Sequence, residues 1–186
     1  MLITKHEQLY GVLGGEALHQ TLLKDIRQVF ATKQNCTVII DSDYPGDTNI
    51  HHELEPNAEI HVLLEYCYRQ NSYSSLELIR QSLEKKHACV LATICSSDLE
   101  DVQVGLSFLV GEGLISASKL TKRFQELITD TAQNTLASGS ASLESYLLEE
   151  GLMNVFYDII KPPVHLLIVG CGPDAIPILH LAKELN

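Results

Sequence analysis

The residues best suited to chemistry lie near the end of the chain, in a glycine-rich segment that runs from Gly170 to Ala175. Its spacing is G-x-G-x-x-A, a variant of the dinucleotide-binding fingerprint. Gly170 allows a tight turn out of a strand, and Gly172 lets the backbone approach a phosphate. Gly170, Gly172 and Asp174 are therefore candidates to contact a phosphorylated cofactor in front of a helix N-terminus, and the alternative is a strand-turn-helix that needs glycine only for packing.

A second glycine pair, Gly14-Gly15, precedes a segment with helical apolar spacing. The first amides of that helix would be available to an anion. Glu16 follows directly, and a glutamate at this point is also suited to act as the internal anion of the helix N-terminus. The sequence leaves both interpretations open.

Other polar groups are weaker candidates. Residues 51–53 (H-H-E) and His61 contain metal-ligand types, but their spacing fits no compact site. The aspartates within 41–47 resemble the start of a calcium loop that a proline interrupts. Cys89 lies two residues from His87, and a buried cysteine beside a strand-edge histidine is the favoured interpretation. No metal site is predicted.

The elements that must position the C-terminal glycines follow from the apolar pattern around them. The continuous apolar run 164–169 predicts a central strand, and residues 175–185 predict a helix with one buried face. Pro162-Pro163 predicts a domain boundary. The predicted domains are an N-terminal domain over 1–160 and the first strand and helix of a Rossmann-like unit over 161–186.

The first 160 residues alternate between strand and helix patterns, which predicts a mixed α/β domain. The predicted strands are 2–4 and 8–13 as a hairpin, 36–41, 59–66, 88–95, 106–110 and 114–117 as a second hairpin, and 153–160 as a strand or extended arm. The predicted helices are 18–30, 74–86 with a Ser74–Glu77 capping box, 120–136 and 143–150. The recurring order of hairpin and helix predicts a weak internal repeat.

The composition narrows the class of partner and the compartment. A formal net charge of -11 argues against nucleic acid or an anionic membrane as a general partner. No apolar run approaches the ~20 residues that span a bilayer, and the N-terminus lacks the pattern of a secretory signal. The five cysteines form no C-x-x-C pair, which predicts reduced thiols in a cytoplasmic protein.

Four segments together carry a resemblance to a known family. Residues 161–177 (K-P-P-V-H-L-L-I-V-G-C-G-P-D-A-I-P) resemble its C-terminal glycine motif, and residues 1–15 resemble its opening hairpin and glycine turn. Residues 59–65 (E-I-H-V-L-L-E) and 87–93 (H-A-C-V-L-A-T) resemble two of its strands. The chain thus resembles the xanthine dehydrogenase accessory factors of the XdhC/CoxI type, along nearly its whole length.

The resemblance implies an assembly factor rather than an enzyme. Such a factor binds the molybdenum cofactor, protects it during sulfuration and delivers it to a xanthine dehydrogenase-type apoenzyme, with a cysteine desulfurase as the sulfur donor. The predicted cofactor contacts are Gly14, Gly15, Gly170, Gly172 and Asp174. Ala17 and Pro56 stand where the family carries cysteines, so an inactive member is also predicted. The family's segment before the first hairpin and the second Rossmann strand are absent from the sequence, so a member truncated at both ends is expected.

Two other function classes remain open from the residues. One is an oligomeric structural or regulatory nucleotide-binding module without catalysis, in which residues 162–186 complete a dimer. The other is a nucleotide-dependent oxidoreductase, which is disfavoured because no acid–base pair is recognisable. A homo-oligomer in the cytoplasm is expected.

Overall fold

The computed structural model is a mixed α/β protein, as the sequence predicts. Its described part contains four helices and three sheets, and no helix there is long and apolar enough to cross a membrane. The described residues are 1–41, 59–68, 74–84, 87–111, 114–115, 122–149, 151–162, 164, 166–170 and 172–184.

The N-terminal part is a helix packed on a two-stranded sheet, preceded by a short hairpin. Its elements are β1 (Leu2–Ile3), β2 (Leu9–Tyr10), α1 (Glu16–Thr32), β3 (Cys36–Ile40) and β4 (Ile60–Leu64). Both strand pairs are antiparallel. These elements confirm the predicted first hairpin, the helix and the two strands that follow it.

Helix α1 forms because its apolar residues recur at helical spacing and meet a β-branched sheet face. Leu18, Leu22 and Ile26 pack against Val38 and Ile40, and Leu22 and Ile40 are completely buried. Each such side chain contributes about 1.5–3 kcal/mol through removal from water. The packed helix face fixes the orientation of the α1 N-terminus.

The larger part of the protein is a five-stranded antiparallel sheet with one helix on each face. Its elements are α2 (Ser74–Glu84), β5 (Cys89–Ser97), β6 (Ser107–Gly111), β7 (Leu114–Ile115), α3 (Lys122–Ser138), β8 (Ser142–Leu148) and β9 (Gly151–Ile160). The strand order is β7-β6-β5-β9-β8. Ile128 and Ala132 of α3 pack with Ala92 and Tyr157 on one face, while Leu78 of α2 packs with residues of the other.

The predicted helix over 143–150 is wrong, because this segment is the strand β8. All seven of its residues pair with β9, from Ser142 opposite Tyr157 to Leu148 opposite Gly151. The apolar residues Leu143, Tyr146 and Leu147 have helical spacing but also suit a strand. The neighbouring strand β9 supplies the hydrogen bonds that decide between the two structures.

The C-terminal unit differs from the prediction in two respects. Val164 and residues 166–170 form no strand, and Val164 and Val169 are more than nine-tenths exposed. A strand needs a neighbour to pair with, and none of the described strands pairs with this segment. Helix α4 (Ala175–Glu184) forms as predicted. None of its residues is buried, so the prediction of a buried face is wrong.

Candidate functional site

The first predicted glycine turn is an open helix N-terminus. Gly14 has a left-handed backbone with φ of 60°, and Gly15 is the extended N-cap of α1 with φ of -94°. A Cβ at Gly15 would meet nothing within 4 Å. Glu16 is exposed, and its carboxylate accepts a hydrogen bond from Gln20 Nε2 at 2.6 Å. The glutamate thus bonds along the helix, and Gly15 supplies no side-chain cap to the first turn.

A largely buried histidine lies one turn further along α1. The His19 side chain is 13% exposed, and neither ring nitrogen has a hydrogen-bond partner in the described part of the chain. Nδ1 lies 4.0 Å from Glu16 Oε1, and the backbone N–H of His19 donates to the carbonyl of Gly15 at 3.3 Å. Since buried polar groups are normally hydrogen-bonded, this unpartnered imidazole, one helical turn after the glycines, is consistent with a site for a polar ligand. Nothing in the sequence pattern distinguishes His19 from a packed helix residue.

The second predicted glycine turn precedes α4. Gly170 has φ of 132° and open space around it, whereas a Cβ at Gly172 would lie 3.7 Å from Asp174 Oδ1. The N–H of Ala175 donates to the carbonyl of Gly172 at 3.0 Å and closes the turn. The loop is accessible, but the Asp174 carboxylate lies beside the backbone that a phosphate would have to approach.

The structure does not bring the two glycine turns into contact at these positions. The atoms nearest a Cβ at Gly14 belong to Leu18 of its own helix, and those nearest one at Gly172 belong to Asp174. The predicted contact residues are therefore described as two candidate sites, one at each turn.

A third candidate is a polar cluster, which we call the Glu65 cluster, at the junction of the two sheets. The hydroxyl of Ser75 lies 2.7 and 2.8 Å from the two carboxylate oxygens of Glu65 and donates to them. It also lies 3.4 Å from Ser107 Oγ, which is 3.0 Å from Thr93 Oγ1. The thiol of Cys67 hydrogen-bonds the same carboxylate. This chain of contacts runs from the carboxylate after β4 to α2, then to β6 and β5.

The electrostatics of the Glu65 cluster favour neutral groups. Burial raises the pKa of Glu65, and the hydrogen bonds from Ser75 and Cys67 partly oppose this effect. Burial, followed by the charge of Glu65, raises the pKa of Cys67 to about 11. Since the thiolate is the nucleophilic form, Cys67 is not activated for covalent chemistry. The sequence analysis missed this cluster because its members are joined only by the tertiary fold.

Asn35 joins the same two parts of the protein. Its side-chain amide donates to the carbonyl of Val104 at 2.9 Å, and its carbonyl oxygen accepts from the N–H of Tyr66 at 2.8 Å. The hydroxyl of Thr37 donates to the carbonyl of Cys95 nearby. These bonds hold the ends of β3 and β4 against β5 and the loop after it, and thereby position Glu65.

The remaining sequence candidates have simpler outcomes. Residues 51–53 and the aspartates at 43 and 47 lie outside the described residues, while His61 Nε2 lies 2.8 Å from Glu59 Oε1. Within the described residues, no group of three or more histidine, cysteine or acidic side chains could hold a metal. Cys89 is 2% exposed and contacts the carbonyl of His87, which confirms the interpretation as a buried cysteine.

Comparison with family models and curated proteins identifies no match for this chain. No protein-family model matches the chain, and no curated protein matches it significantly.

Proposed function

We propose that this chain is an assembly factor of the xanthine dehydrogenase accessory type, which acts by binding the molybdenum cofactor rather than by catalysis. Its support from the sequence is the set of motif-like segments that resemble the family. Segment 59–65 contains the strand β4, and segment 87–93 contains the first five residues of β5. A xanthine dehydrogenase-type apoenzyme and a cysteine desulfurase are the partners that this proposal implies.

The observation that carries the proposal is the glycine turn before α1 with the unpartnered His19 behind it. The cofactor's pterin ends in a phosphate, and the N-terminus of a helix favours an anion through its amides and its dipole. An imidazole N–H can donate a further hydrogen bond to such an oxygen. The bound cofactor would supply the molybdenum centre, while Gly15 and His19 would hold its phosphate end. Asp174 opposes an anion at the second turn as Glu16 does at the first, but only α1 is held in place by buried residues, so we assign the site to the first turn.

A cofactor titration of the full chain tests this proposal. We expect molybdenum cofactor to be retained with the folded protein on gel filtration, with affinity measured by pterin fluorescence. His19→Leu keeps an apolar shape but removes both nitrogens, so it should weaken affinity about tenfold, the loss of one hydrogen bond to a charged group. The same substitution should preserve or raise thermal stability, because it removes an unsatisfied buried group.

Matched variants locate the site. Gly15→Val and Gly172→Val each add a side chain where the backbone is not left-handed, and Gln133→Ala on α3 is an exposed control. We expect only Gly15→Val to reduce binding. Failure of the folded wild-type protein to retain cofactor would refute the function, whereas a loss confined to Gly172→Val would refute the assignment to α1.

A second candidate function, an oligomeric binding module without cofactor delivery, is favoured by the C-terminal unit. Leu167 and Val169 are exposed, and α4 presents Ile176, Leu179 and Leu181 to solvent. An exposed apolar segment of this kind is typical of a protein interaction site. Removal of residues 162–186 should then weaken self-association and leave cofactor binding unchanged.

A further inference from the structure

Strand β8 lies at the edge of the five-stranded sheet formed by the described strands. Its seven residues pair with β9 on one side, and no described strand pairs with the other side. An edge strand presents a row of backbone donors and acceptors to any second strand, and natural proteins usually block it with lysine, proline or a bulge. β8 carries none of these, and its only charged residue is Glu144.

The side chains next to this edge form an apolar patch, which we call the β8 patch. Leu143 lies opposite Phe156 and Leu147 opposite Leu152. Leu147 is 84% exposed, and the other three are between 39% and 49% exposed. The patch lies on the sheet face opposite the α3 core, beyond the half that α2 covers. Both the strand edge and the face beside it thus lack a partner among the described residues.

We propose that β8 pairs antiparallel with β8 of a second copy of this chain, about a two-fold axis through Ser145. In this register, Leu143 faces Leu147 of the second copy, and Glu144 faces Tyr146. Ser142 faces Leu148, so all seven residues are paired. The two five-stranded sheets become one continuous sheet, and the two β8 patches merge across the axis.

Two-fold symmetry, side-chain charge and the pairing of all seven residues select the register. Residues that lie directly opposite each other on antiparallel strands project from the same sheet face. The two-fold axis must therefore pass between two copies of one residue, not between two neighbouring positions of the strand. An axis through Glu144 would oppose two carboxylates, which is unfavourable. An axis through Tyr146 would place Leu143 against Glu149. The axis through Ser145 avoids both clashes, and it brings two identical apolar patches together although each copy has a net charge of -11. An isologous dimer requires such a self-complementary surface.

Analytical ultracentrifugation of the full chain, over a range of concentrations, tests the dimer. We expect a reversible dimer, and we expect Leu147→Lys to raise its dissociation constant about tenfold or more, since each dimer loses two apolar contacts. Leu147 is highly exposed, so the fold should survive, as circular dichroism would show. The double variant Leu143→Lys with Leu147→Glu places opposite charges across the axis and should restore association relative to either single variant.

A cross-link tests the register independently. Ser145→Cys puts two thiols opposite each other at the axis, so mild oxidation should give a disulfide-linked dimer on a non-reducing gel. Ser140→Cys is equally exposed but lies off the strand, and wild-type protein controls for the native cysteines. A monomeric wild type, or a dimer that Leu147→Lys leaves unchanged, would overturn the proposal. Cross-linking of Ser145→Cys no faster than that of Ser140→Cys would overturn the register.

Discussion

Replacement of Asn35 by alanine should loosen the junction that joins the α1 part of the protein to the five-stranded sheet. The substitution removes two hydrogen bonds, one to the carbonyl of Val104 and one from the N–H of Tyr66. Each contributes about 1 kcal/mol, and the backbone groups left behind are partly buried. We therefore expect Asn35→Ala to lower the free energy of unfolding by about 2–3 kcal/mol.

Gly105 makes this prediction more specific. It has φ of 85°, and a Cβ there would lie 2.3 Å from Asn35 Nδ2. Gly105→Ala should therefore cost about 1–2 kcal/mol for the left-handed backbone, and about 1 kcal/mol more because it displaces the Asn35 amide. With Asn35→Ala already present, only the backbone cost remains. The double variant should be less destabilised than the sum of the singles by about 1 kcal/mol.

Urea unfolding followed by circular dichroism measures these free energies. Asn35→Asp is the matched control, because it keeps an acceptor for Tyr66 but loses the donor to Val104. It should be at least as unstable as Asn35→Ala at neutral pH, because its second carboxylate oxygen repels the carbonyl of Val104. Additive effects of Asn35→Ala and Gly105→Ala, or a loss below about 0.5 kcal/mol for Asn35→Ala, would refute the view that this side chain joins the two parts.

Two further predictions concern the Glu65 cluster. Burial raises the pKa of Glu65 above its ordinary value of 4.5, so the folded state binds this proton more tightly than the unfolded chain and loses stability as pH rises through the raised value. Glu65→Gln should therefore gain stability relative to wild type as pH rises from about 4.5, and urea unfolding at several pH values measures this. A difference in unfolding free energy between the two proteins that does not change with pH would contradict the prediction. Because the charge of Glu65 also raises the pKa of Cys67, Glu65→Gln should speed alkylation of Cys67 at about pH 9. Peptide mass spectrometry measures the alkylation rate, with Cys36 as internal control. An unchanged rate would contradict the coupling between Glu65 and Cys67.

The strands and helices that pack locally were predictable from the sequence. β3 and β5 are rich in β-branched and apolar residues, and α1 has its apolar residues on one helical face. β8 was not predictable, since its pattern suits either structure and β9 decides between them. The run 164–169 has the composition of a buried strand, but composition does not supply a neighbouring strand. The sequence predicts a helix or strand whose own residues have a distinctive apolar pattern. It does not predict a segment whose secondary structure depends on pairing with another strand.

The candidate sites divide in the same way. Gly14, Gly15, Gly170 and Gly172 were predictable because glycine before a helix has a local conformational meaning. The importance of His19 was not, since a histidine on an apolar helix face gives no sign that its nitrogens lack partners. The Glu65 cluster joins residues as far apart as Glu65 and Ser107, which only the pairing of β5 and β6 and the docking of α2 bring together.

The C-terminal loop has the stronger motif, but the α1 turn is the better supported anion site. An anion gains most from amides that are already held in place, because no ordering has to accompany binding. Helix α1 is held in place by the burial of Leu18, Leu22 and Ile26. Gly14 has a left-handed φ of 60°, and a Cβ there would lie 2.7 Å from the Leu18 side chain, so this position favours glycine. Helix α4 buries none of its residues, so its loop lacks that support. A motif identifies which backbone can approach a phosphate, whereas the packing behind the motif determines whether that backbone is held ready to do so.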